Sequence, residues 1–383
     1  MARKVIRFGV IGCGLMGKEF ASAAARWCHL DDTLDFEPRL VAACDVNPAA
    51  ADWFARNVPS VDKVHTDHRR VLDDPGIDAV YCAVPHNLHA SLYCDIISAG
   101  KHLLGEKPFG IDLAACQQIV SAVQSNPRVL VRCSSELPFF PGGFAIAQLA
   151  SRGAFGRIIE VESGLWHASD LNPEKPIKWK RRVQTCGEYG CLGDLGMHAM
   201  HLPLRFGWMP ARVSASLVNV VDSRPDGKGG RAPCETWDNG TLLCRVPHAL
   251  GEFQMTVSTK RIAPGHNNSW FIRVYGTDLS AEYSTKNPKE LRLMPYVPGG
   301  PQAWHVSDVN WESAYKGITG AIFEFGFSDA LLQMWAAFCD ELTHGLQGMR
   351  QPLYCATPDE ALLHHRVFTA ALRSHAQHVA AEV

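Results

Sequence analysis

A glycine-rich turn near the N-terminus constrains the fold more than any other feature of this chain. It follows the continuous apolar run VIRFGVIG and carries Gly12, Gly14 and Gly17 just before the helix-like segment KEFASAAARW. At this spacing the first glycine permits a tight turn, the second lets the backbone approach a pyrophosphate, and the third lets the helix pack closely. The helix N-terminus offers unpaired N–H groups to an anion. The turn therefore predicts a dinucleotide-binding βα unit.

Alternating strands and helices continue this pattern to about residue 132. Short apolar runs predict further strands at 40–45, 79–85, 102–108 and 129–136. Between them, LYCDIISAGK and LAACQQIVSAVQSN place apolar residues at helical spacing. Successive βα units are typical of an α/β fold with a doubly wound parallel sheet. We therefore predict an NAD(P)-binding Rossmann domain over residues 1–132.

The pattern changes after about residue 210, where strands follow one another at close intervals. Runs such as RVSASLVNVV, GEFQMTVSTK and WFIRVYGT are separated by Gly, Pro and Asn, which favours antiparallel pairing. We predict a C-terminal α+β domain over 133–383 with a large, mostly antiparallel open sheet, and a mobile loop at 222–235. A chain of 383 residues exceeds the size at which one core stops growing, which agrees with two domains.

Charge and hydropathy argue against nucleic acid or a membrane as a partner. The formal net charge is only −2, and no apolar run approaches the roughly 20 residues that span a bilayer. The segment Met1–Arg7 leads into a strand without a signal-peptide pattern. The thirteen cysteines are scattered singly, which disfavours disulfides and a structural zinc site. We therefore expect a cytoplasmic protein.

Asp45 ends the second predicted strand, where a carboxylate can accept hydrogen bonds from a ribose diol. Its offset from the glycines exceeds the usual 20 or so residues because of an insertion at 29–38. A carboxylate here repels a 2′-phosphate, and no arginine follows it, so NAD is favoured over NADP. Alternatively, Asp45 only caps the next helix, although Asn47 and Pro48 can do that instead.

Two further strands end in polar clusters. Pro85-His86-Asn87-Leu88-His89 follows the run AVYCAV, and Glu106-Lys107-Pro108 follows HLLG. In an open parallel sheet the carboxyl ends of the strands face the ligand crevice. A functional role for Lys107 is therefore favoured over the alternative of an ordinary surface charge.

These segments together resemble the glucose–fructose oxidoreductase, inositol dehydrogenase and rhizopine-catabolism family (Gfo/Idh/MocA). The resemblance rests on the glycine turn, AVPHNLHA, GKHLLGEKPFG and GEYGCLGDLGMHAMH, which occur in the family's order along most of the chain. It implies that Lys107, Asp194 and His198 are catalytic. With the strand-end positions, it gives this set of cofactor contacts: Gly12, Gly14, Leu15, Met16, Gly17, Asp45, Val46, Val84, Pro85, His86, His89, Glu106, Lys107, Trp179 and Lys180.

The residues themselves support the catalytic grouping. Asp194 and His198 are four positions apart, so on a helix they share one face and the carboxylate can orient the imidazole. An imidazole with an ordinary pKa of about 6.5 suits the removal of a proton from an alcohol, which makes His198 the general base. Lys107 is expected to stabilise the developing alkoxide, or to share the base role once desolvated.

Two other interpretations of this helix remain open. Asp194, His198 and His201 lie at i, i+4 and i+7 and offer ligands that suit zinc, but no fourth ligand is indicated and the family uses none. Alternatively, His198 is a core histidine that Asp194 satisfies. We predict no metal.

The chain departs from the family pattern around the expected substrate pocket. The usual GGG run reads Gly187-Glu188-Tyr189-Gly190, the usual WR pair reads Trp179-Lys180, and Glu136 replaces a common arginine. His201 stands where an aspartate is frequent. Aromatic and charged residues between positions 166 and 182 suit a polyhydroxylated ring, although an exposed amphipathic loop has the same composition. The expected substrate contacts are Lys107, Glu136, Trp166, Lys180, Tyr189, Asp194 and His198.

We expect an NAD(P)-dependent dehydrogenase that oxidises a secondary ring hydroxyl of a sugar, glycoside, anhydrosugar or cyclitol. One alternative is an NAD-dependent glycosidase that oxidises its sugar transiently and eliminates the aglycone, and another is a non-catalytic NAD-sensing regulator. An antiparallel sheet commonly leaves one face uncovered by its own chain, so a homodimer or homotetramer is expected.

Overall fold

The computed structural model describes residues 3–31 and 33–383. Parts of the predicted N-terminal segment (Met1 and Ala2) and of the predicted insertion (Asp32) lie outside the described residues. The strands are β1 Lys4–Ile11, β2 Phe36–Cys44, β3 Lys63–His65, β4 Ala79–Cys82, β5 His102–Gly105, β6 Val131–Cys133, β7 Ile158–His167, β8 Arg212–Val218, β9 Ser223–Pro225, β10 Arg231–Pro233, β11 Asn239–Val246, β12 Phe253–Lys260, β13 Asn267–Gly276, β14 Leu279–Ser284, β15 Glu290–Pro295, β16 His305–Asp308 and β17 Ala381–Glu382. The helices are α1 Leu15–Ala25, α2 Pro48–Asn57, α3 Arg69–Leu72, α4 His89–Ser98, α5 Leu113–Ser125, α6 Pro141–Ser151, α7 Val183–Cys186, α8 Cys191–Arg205, α9 Phe327–His344 and α10 Pro358–Gln377.

The first of two compact units contains a parallel sheet. Over the part of the chain that the structure describes, this sheet has six strands in the order β3-β2-β1-β4-β5-β6. The order reverses between β1 and β4, which is the switch point at which such folds bind ligands. The predicted doubly wound sheet is confirmed.

A late helix completes the core of this unit. Besides the described residues up to Gly110, the unit includes Ala114–Phe140 and Ser313–Asp359, so α9 belongs to it. The indole of Trp335 on α9 packs against Phe8 and Phe20, with ring centroids 5.1 and 3.9 Å apart. The compact units therefore do not follow the single predicted boundary after residue 132, because the chain returns to the first sheet near its end.

The second unit is built on a large mixed sheet. It comprises Ile111–Leu113, Pro141–Glu312 and Glu360–Val383. Among the described residues its sheet has nine strands in the order β16-β15-β14-β13-β7-β12-β11-β8-β17. Only the β7–β12 pair is parallel within this described set, so the predicted, mostly antiparallel sheet is confirmed. Helix α8 packs on one face, where its Cys191 accepts a hydrogen bond from Thr259 of β12.

The segment predicted as a mobile loop at 222–235 contains regular structure. Strands β9 and β10 pair in antiparallel fashion within it. The carboxylate of Asp226 accepts hydrogen bonds from the amides of Lys228 and Gly230, at 2.7 and 3.0 Å, and so closes the turn between the strands. Turn chemistry supplied by an aspartate thus orders a glycine-rich segment.

The helices give no indication of a membrane span. Within residues 3–31 and 33–383, none combines the length and the apolar character needed to cross a bilayer.

Candidate active site

The glycine turn has the steric features that a bound pyrophosphate requires. Gly12 has a φ of 95°, and a Cβ placed there would lie 2.2 Å from the Ala83 carbonyl oxygen. A Cβ at Gly17 would lie 2.3 Å from the Gly12 carbonyl oxygen, whereas one at Gly14 would meet nothing within 4 Å. Side chains are therefore excluded at two positions by packing, and the space beside the third is open to a ligand. The turn fits a dinucleotide.

Asp45 fastens this turn to the end of β2. Its carboxylate accepts hydrogen bonds from the amides of Cys13 and Asn47, at 2.8 and 2.9 Å. The side chain of Asn47 accepts the Ala49 amide at 3.1 Å and caps α2, with Pro48 in the first turn. Asn47 therefore does the capping, and each oxygen of Asp45 retains a lone pair. Its predicted bond to a ribose remains a prediction.

Apolar side chains stand exposed on both sides of the turn. Leu15 is 76% exposed and Val46 is 90% exposed, whereas Val84, Pro85 and Met16 are half-buried. Exposed large apolar groups at a strand-end crevice are typical of a surface that a ligand covers. Their positions agree with the predicted cofactor contacts, which remain a prediction.

His89 has a structural place in the first unit. It is fully buried; its Nε2 donates to the Val84 carbonyl at 3.0 Å, and its Nδ1 accepts the Gly110 amide at 3.4 Å. The ring also stacks on Tyr93. The burial of the ring and its two hydrogen bonds within the protein do not support the predicted direct cofactor contact of His89. His86 is buried beside it.

Lys107 follows β5 at the carboxyl end of the parallel sheet, the same end at which the glycine turn follows β1. Its neighbour Glu106 is buried and accepts a hydrogen bond from the hydroxyl of Tyr81 at 2.7 Å. The hydroxyl of Tyr93 donates to the carbonyl of Glu106 at 2.8 Å. Two buried tyrosines therefore fix the segment that carries the lysine. Glu136, which follows the adjacent β6, is also buried in this unit and interacts electrostatically with both Glu106 and Lys107.

In the second unit Asp194 lies between two cations. Its carboxylate accepts hydrogen bonds from the Lys180 ammonium at 2.7 Å and from Nε of Arg261 at 3.2 Å. Burial disfavours the charge on Arg261, yet the Asp194 carboxylate holds the pKa of that guanidinium above its usual value. Lys180 also lies 5.7 Å from the ring centroid of Trp179. The structure thus brings together two predicted site residues, Lys180 and Asp194, and adds Arg261.

His198 lies one helical turn after Asp194 and is buried. The indole N–H of Trp270 donates to its backbone carbonyl at 2.9 Å, which anchors this part of α8 to β13. The predicted orientation of the imidazole by Asp194 remains a prediction. Nε2 of His201 accepts a hydrogen bond from Arg205 at 2.9 Å. Arginine donors at Asp194 and His201 disfavour the alternative of a metal site on this helix.

The alternation of side chains along β7 directs Trp166 away from Asp194, which disagrees with its predicted role as a substrate contact. It lies with Ser258, Lys260 and Phe271 on the sheet face opposite α8, where its indole N–H donates to Ser258. Successive side chains of a strand point to opposite faces, so the neighbouring His167 faces Asp194 instead. Burial lowers the pKa of His167 to about 4, which keeps the ring neutral. His167 belongs to the segment between positions 166 and 182 that is predicted to suit a polyhydroxylated ring, and its position makes it a further candidate contact.

Tyr189 also departs from its predicted role as a substrate contact. The left-handed backbone of Gly187 and Gly190, with φ of 84° and 55°, makes a tight turn around it. Its ring packs on Phe368 of α10 and its hydroxyl bonds to Thr369 at 2.7 Å. Tyr189 therefore fills the core of the second unit rather than a pocket wall.

Known proteins of similar sequence include several dehydrogenases. The chain is 24% identical to levoglucosan dehydrogenase of Pseudarthrobacter phenanthrenivorans over 302 residues, which covers 75% of this chain and 76% of that protein. It is 25% identical to mouse trans-1,2-dihydrobenzene-1,2-diol dehydrogenase, covering 71% and 82%. It is 28% identical to inositol 2-dehydrogenase 2 of Saccharopolyspora erythraea, covering 41% and 44%.

The fold is shared with solved structures over almost the whole chain. Levoglucosan dehydrogenase in complex with NADH and levoglucosan superimposes with a TM-score of 0.87 at 21% identity, covering 99% of both chains. Residues 6–132 match the model of an oxidoreductase family with an NAD-binding Rossmann fold, and residues 145–282 match a GFO/IDH/MocA C-terminal domain. Both matches agree with the parallel sheet, the glycine turn and the helix that carries Asp194 and His198. The chain therefore belongs to the Gfo/Idh/MocA family of oxidoreductases.

Proposed function

We propose that this protein is an NAD-dependent dehydrogenase that oxidises a secondary ring hydroxyl of a sugar, anhydrosugar, glycoside or cyclitol. The observation that carries the proposal is the position of Lys107. This lysine lies at the carboxyl end of the parallel sheet, as the glycine turn does. The hydrogen bonds from Tyr81 and Tyr93 to Glu106 hold its segment there. A fixed cation beside a dinucleotide crevice suits the stabilisation of an alkoxide.

The roles of the protein groups follow from their chemistry. Lys107 donates a hydrogen bond to the substrate oxygen, and His198 takes the proton of the hydroxyl. Asp194 holds Lys180 in place, so that this ammonium is available as a donor to a further hydroxyl. NAD, when bound, supplies the acceptor for the hydrogen on carbon. Gly12, Gly14 and Asp45 would hold it.

The substrate class rests on the relatives and on the polar groups near Asp194. Levoglucosan and inositol, named in two of the relatives, are cyclic compounds with several hydroxyls. Lys180 and the neutral His167 are suitable partners for such hydroxyls in the second unit. A panel of anhydrosugars, pyranoses, glycosides and cyclitols, each assayed with NAD and NADP, tests the proposal. We expect NADH to accumulate with at least one cyclic polyol; product formation without NADH would instead support the glycosidase.

Cofactor preference should depend on Asp45. Replacing Asp45 by alanine removes the acceptor for the ribose diol, so we expect the ratio of kcat/KM for NAD to that for NADP to fall about tenfold or more. Asp62, an exposed carboxylate before β3, provides a control of equal charge change. If Asp45→Ala and Asp62→Ala show the same cofactor ratio, Asp45 does not select the cofactor.

We further propose that the sheet face opposite α8 joins copies of the chain into a homodimer or homotetramer. Val218 and Leu243 are half exposed on that face, in neighbouring strands. Size-exclusion chromatography with light scattering should give a dimer or tetramer for the wild type and smaller species for Leu243→Glu. A monomeric wild type would contradict the proposal.

A further inference from the structure

Lys107, which is half-buried, lies among three buried ionisable side chains, and the four residues are here called the Lys107 cluster: Tyr81, Glu106, Lys107 and Glu136. Parallel pairing of β4, β5 and β6 brings the end of β4, which carries Tyr81, beside the segments that follow β5 and β6 and carry the other three residues. The Glu106 amide donates to the Cys82 carbonyl at 2.9 Å, and the Ser134 amide donates to the Gly105 carbonyl at 2.8 Å. The segments that carry the two glutamates therefore lie side by side.

The cluster holds two carboxyl groups and one ammonium. Glu106 is 5% exposed and Glu136 is 4% exposed, so water screens neither group well. The Tyr81 hydroxyl donates a hydrogen bond to the carboxyl group of Glu106 at 2.7 Å. Two carboxylates beside Lys107 would leave a net negative charge buried in the first unit, and burial of such a charge is costly.

Two further neighbours of the cluster are uncharged side chains. Cys133 of β6 is buried next to Glu106, and burial holds the pKa of its thiol well above the usual value. Helix α9 contributes the uncharged Met334, which accepts a hydrogen bond from Ser134. Burial, followed by the charge of Glu106, raises the pKa of Glu136 to about 7, although Lys107 opposes the shift.

We propose that Glu136 is a positioning residue that works as a neutral carboxylic acid beside Glu106 and Lys107, and that its ionisation weakens the stabilisation of the substrate alkoxide by Lys107. This inference rests on the proposed dehydrogenase function. With Glu136 neutral, this residue adds no negative charge beside the lysine. With Glu136 ionised, its negative charge stands near the oxygen that becomes negative during oxidation, and like charges repel.

The pH profile of kcat/KM tests this role. Wild-type activity should decline as pH rises through the titration of Glu136, whereas Glu136→Gln, of the same shape and permanently neutral, should keep its activity and be about tenfold faster than the wild type at about pH 9. Glu136→Asp retains an ionisable group and should retain the decline. Glu37→Gln, near the amino end of β2 in the first unit, removes a charge from the other end of the sheet and should match the wild type. Superimposable profiles of wild type and Glu136→Gln would overturn the proposal.

A second measurement does not need a substrate. The infrared difference spectrum between wild type and Glu136→Gln should contain the C=O stretch of a protonated carboxyl group at pH 6, which disappears at about pH 9. If that band is absent at pH 6, the residue is ionised and the inference fails even in an active dehydrogenase. If the band titrates but no cyclic polyol is oxidised, the proposed function fails while the neutral state of Glu136 stands.

Discussion

Replacing Lys107 by methionine is expected to lower kcat for the oxidised polyol by about 10²–10³-fold, because the developing alkoxide loses a preorganised donor. Methionine keeps the length and apolar stem of the side chain, and the tyrosine bonds to Glu106 do not involve the lysine ammonium. Binding of NAD should therefore remain close to that of the wild type. Steady-state kinetics and a fluorescence titration with NADH measure the two effects.

The control for this variant is Lys4→Met. Lys4 is exposed at the start of β1, at the amino end of the same sheet. Its replacement by methionine changes the net charge by the same amount. We expect kcat for Lys4→Met to match the wild type. Near-normal turnover of Lys107→Met would remove this lysine from the mechanism.

The second large effect concerns stability. Asp194→Ala removes the partner of Arg261, whose side chain is wholly buried, and an uncompensated buried charge typically costs about 3–5 kcal/mol of folding free energy. The same variant frees Lys180, so turnover should fall as well. Urea denaturation followed by circular dichroism measures the loss of stability.

A double variant separates the buried charge from other effects. Arg261→Met removes the guanidinium while keeping an apolar side chain, so Asp194→Ala combined with Arg261→Met should be more stable than Asp194→Ala alone. Since Asp194 also bonds to Lys180, stability should return only in part. A loss below about 1 kcal/mol for Asp194→Ala would mean that water or other groups compensate Arg261.

The first sheet was predictable because its signals are local. Buried parallel strands are continuous apolar runs, and Gly12 with Gly17 marks a turn in which neighbouring backbone leaves no room for a side chain. The position of α9 was not predictable in this way. The sequence periodicity of residues 327–344 indicates a buried helix, but periodicity carries no information about the sheet on which that helix packs.

The same distinction applies to the site. Asp194, His198 and Lys107 were identifiable from short motifs, whereas Arg261 was not, since its role depends on a partner 67 positions away. Strand β7 was not predicted, and without it the alternation that turns His167 toward Asp194 and Trp166 away from it could not be applied. Once the strand is known, the choice between the two follows from its period of two.

For Glu136, which departs from the family pattern, the structure adds information about burial and charge. The sequence alone indicates a carboxylate in place of a common arginine and predicts an altered contact with the substrate. Because Glu136 is buried beside Glu106, the protonation state of its carboxyl group matters as well: near pH 7 this group is either neutral or negative.

Transfer of hydrogen from a ring carbon to NAD is tested directly with a cyclic polyol that carries deuterium on its ring C–H positions. Mass spectrometry of the cofactor and the product after turnover follows the label. One deuterium should appear in NADH, in equal amount to the ketone formed. Ketone or cleaved product without labelled NADH would contradict this transfer.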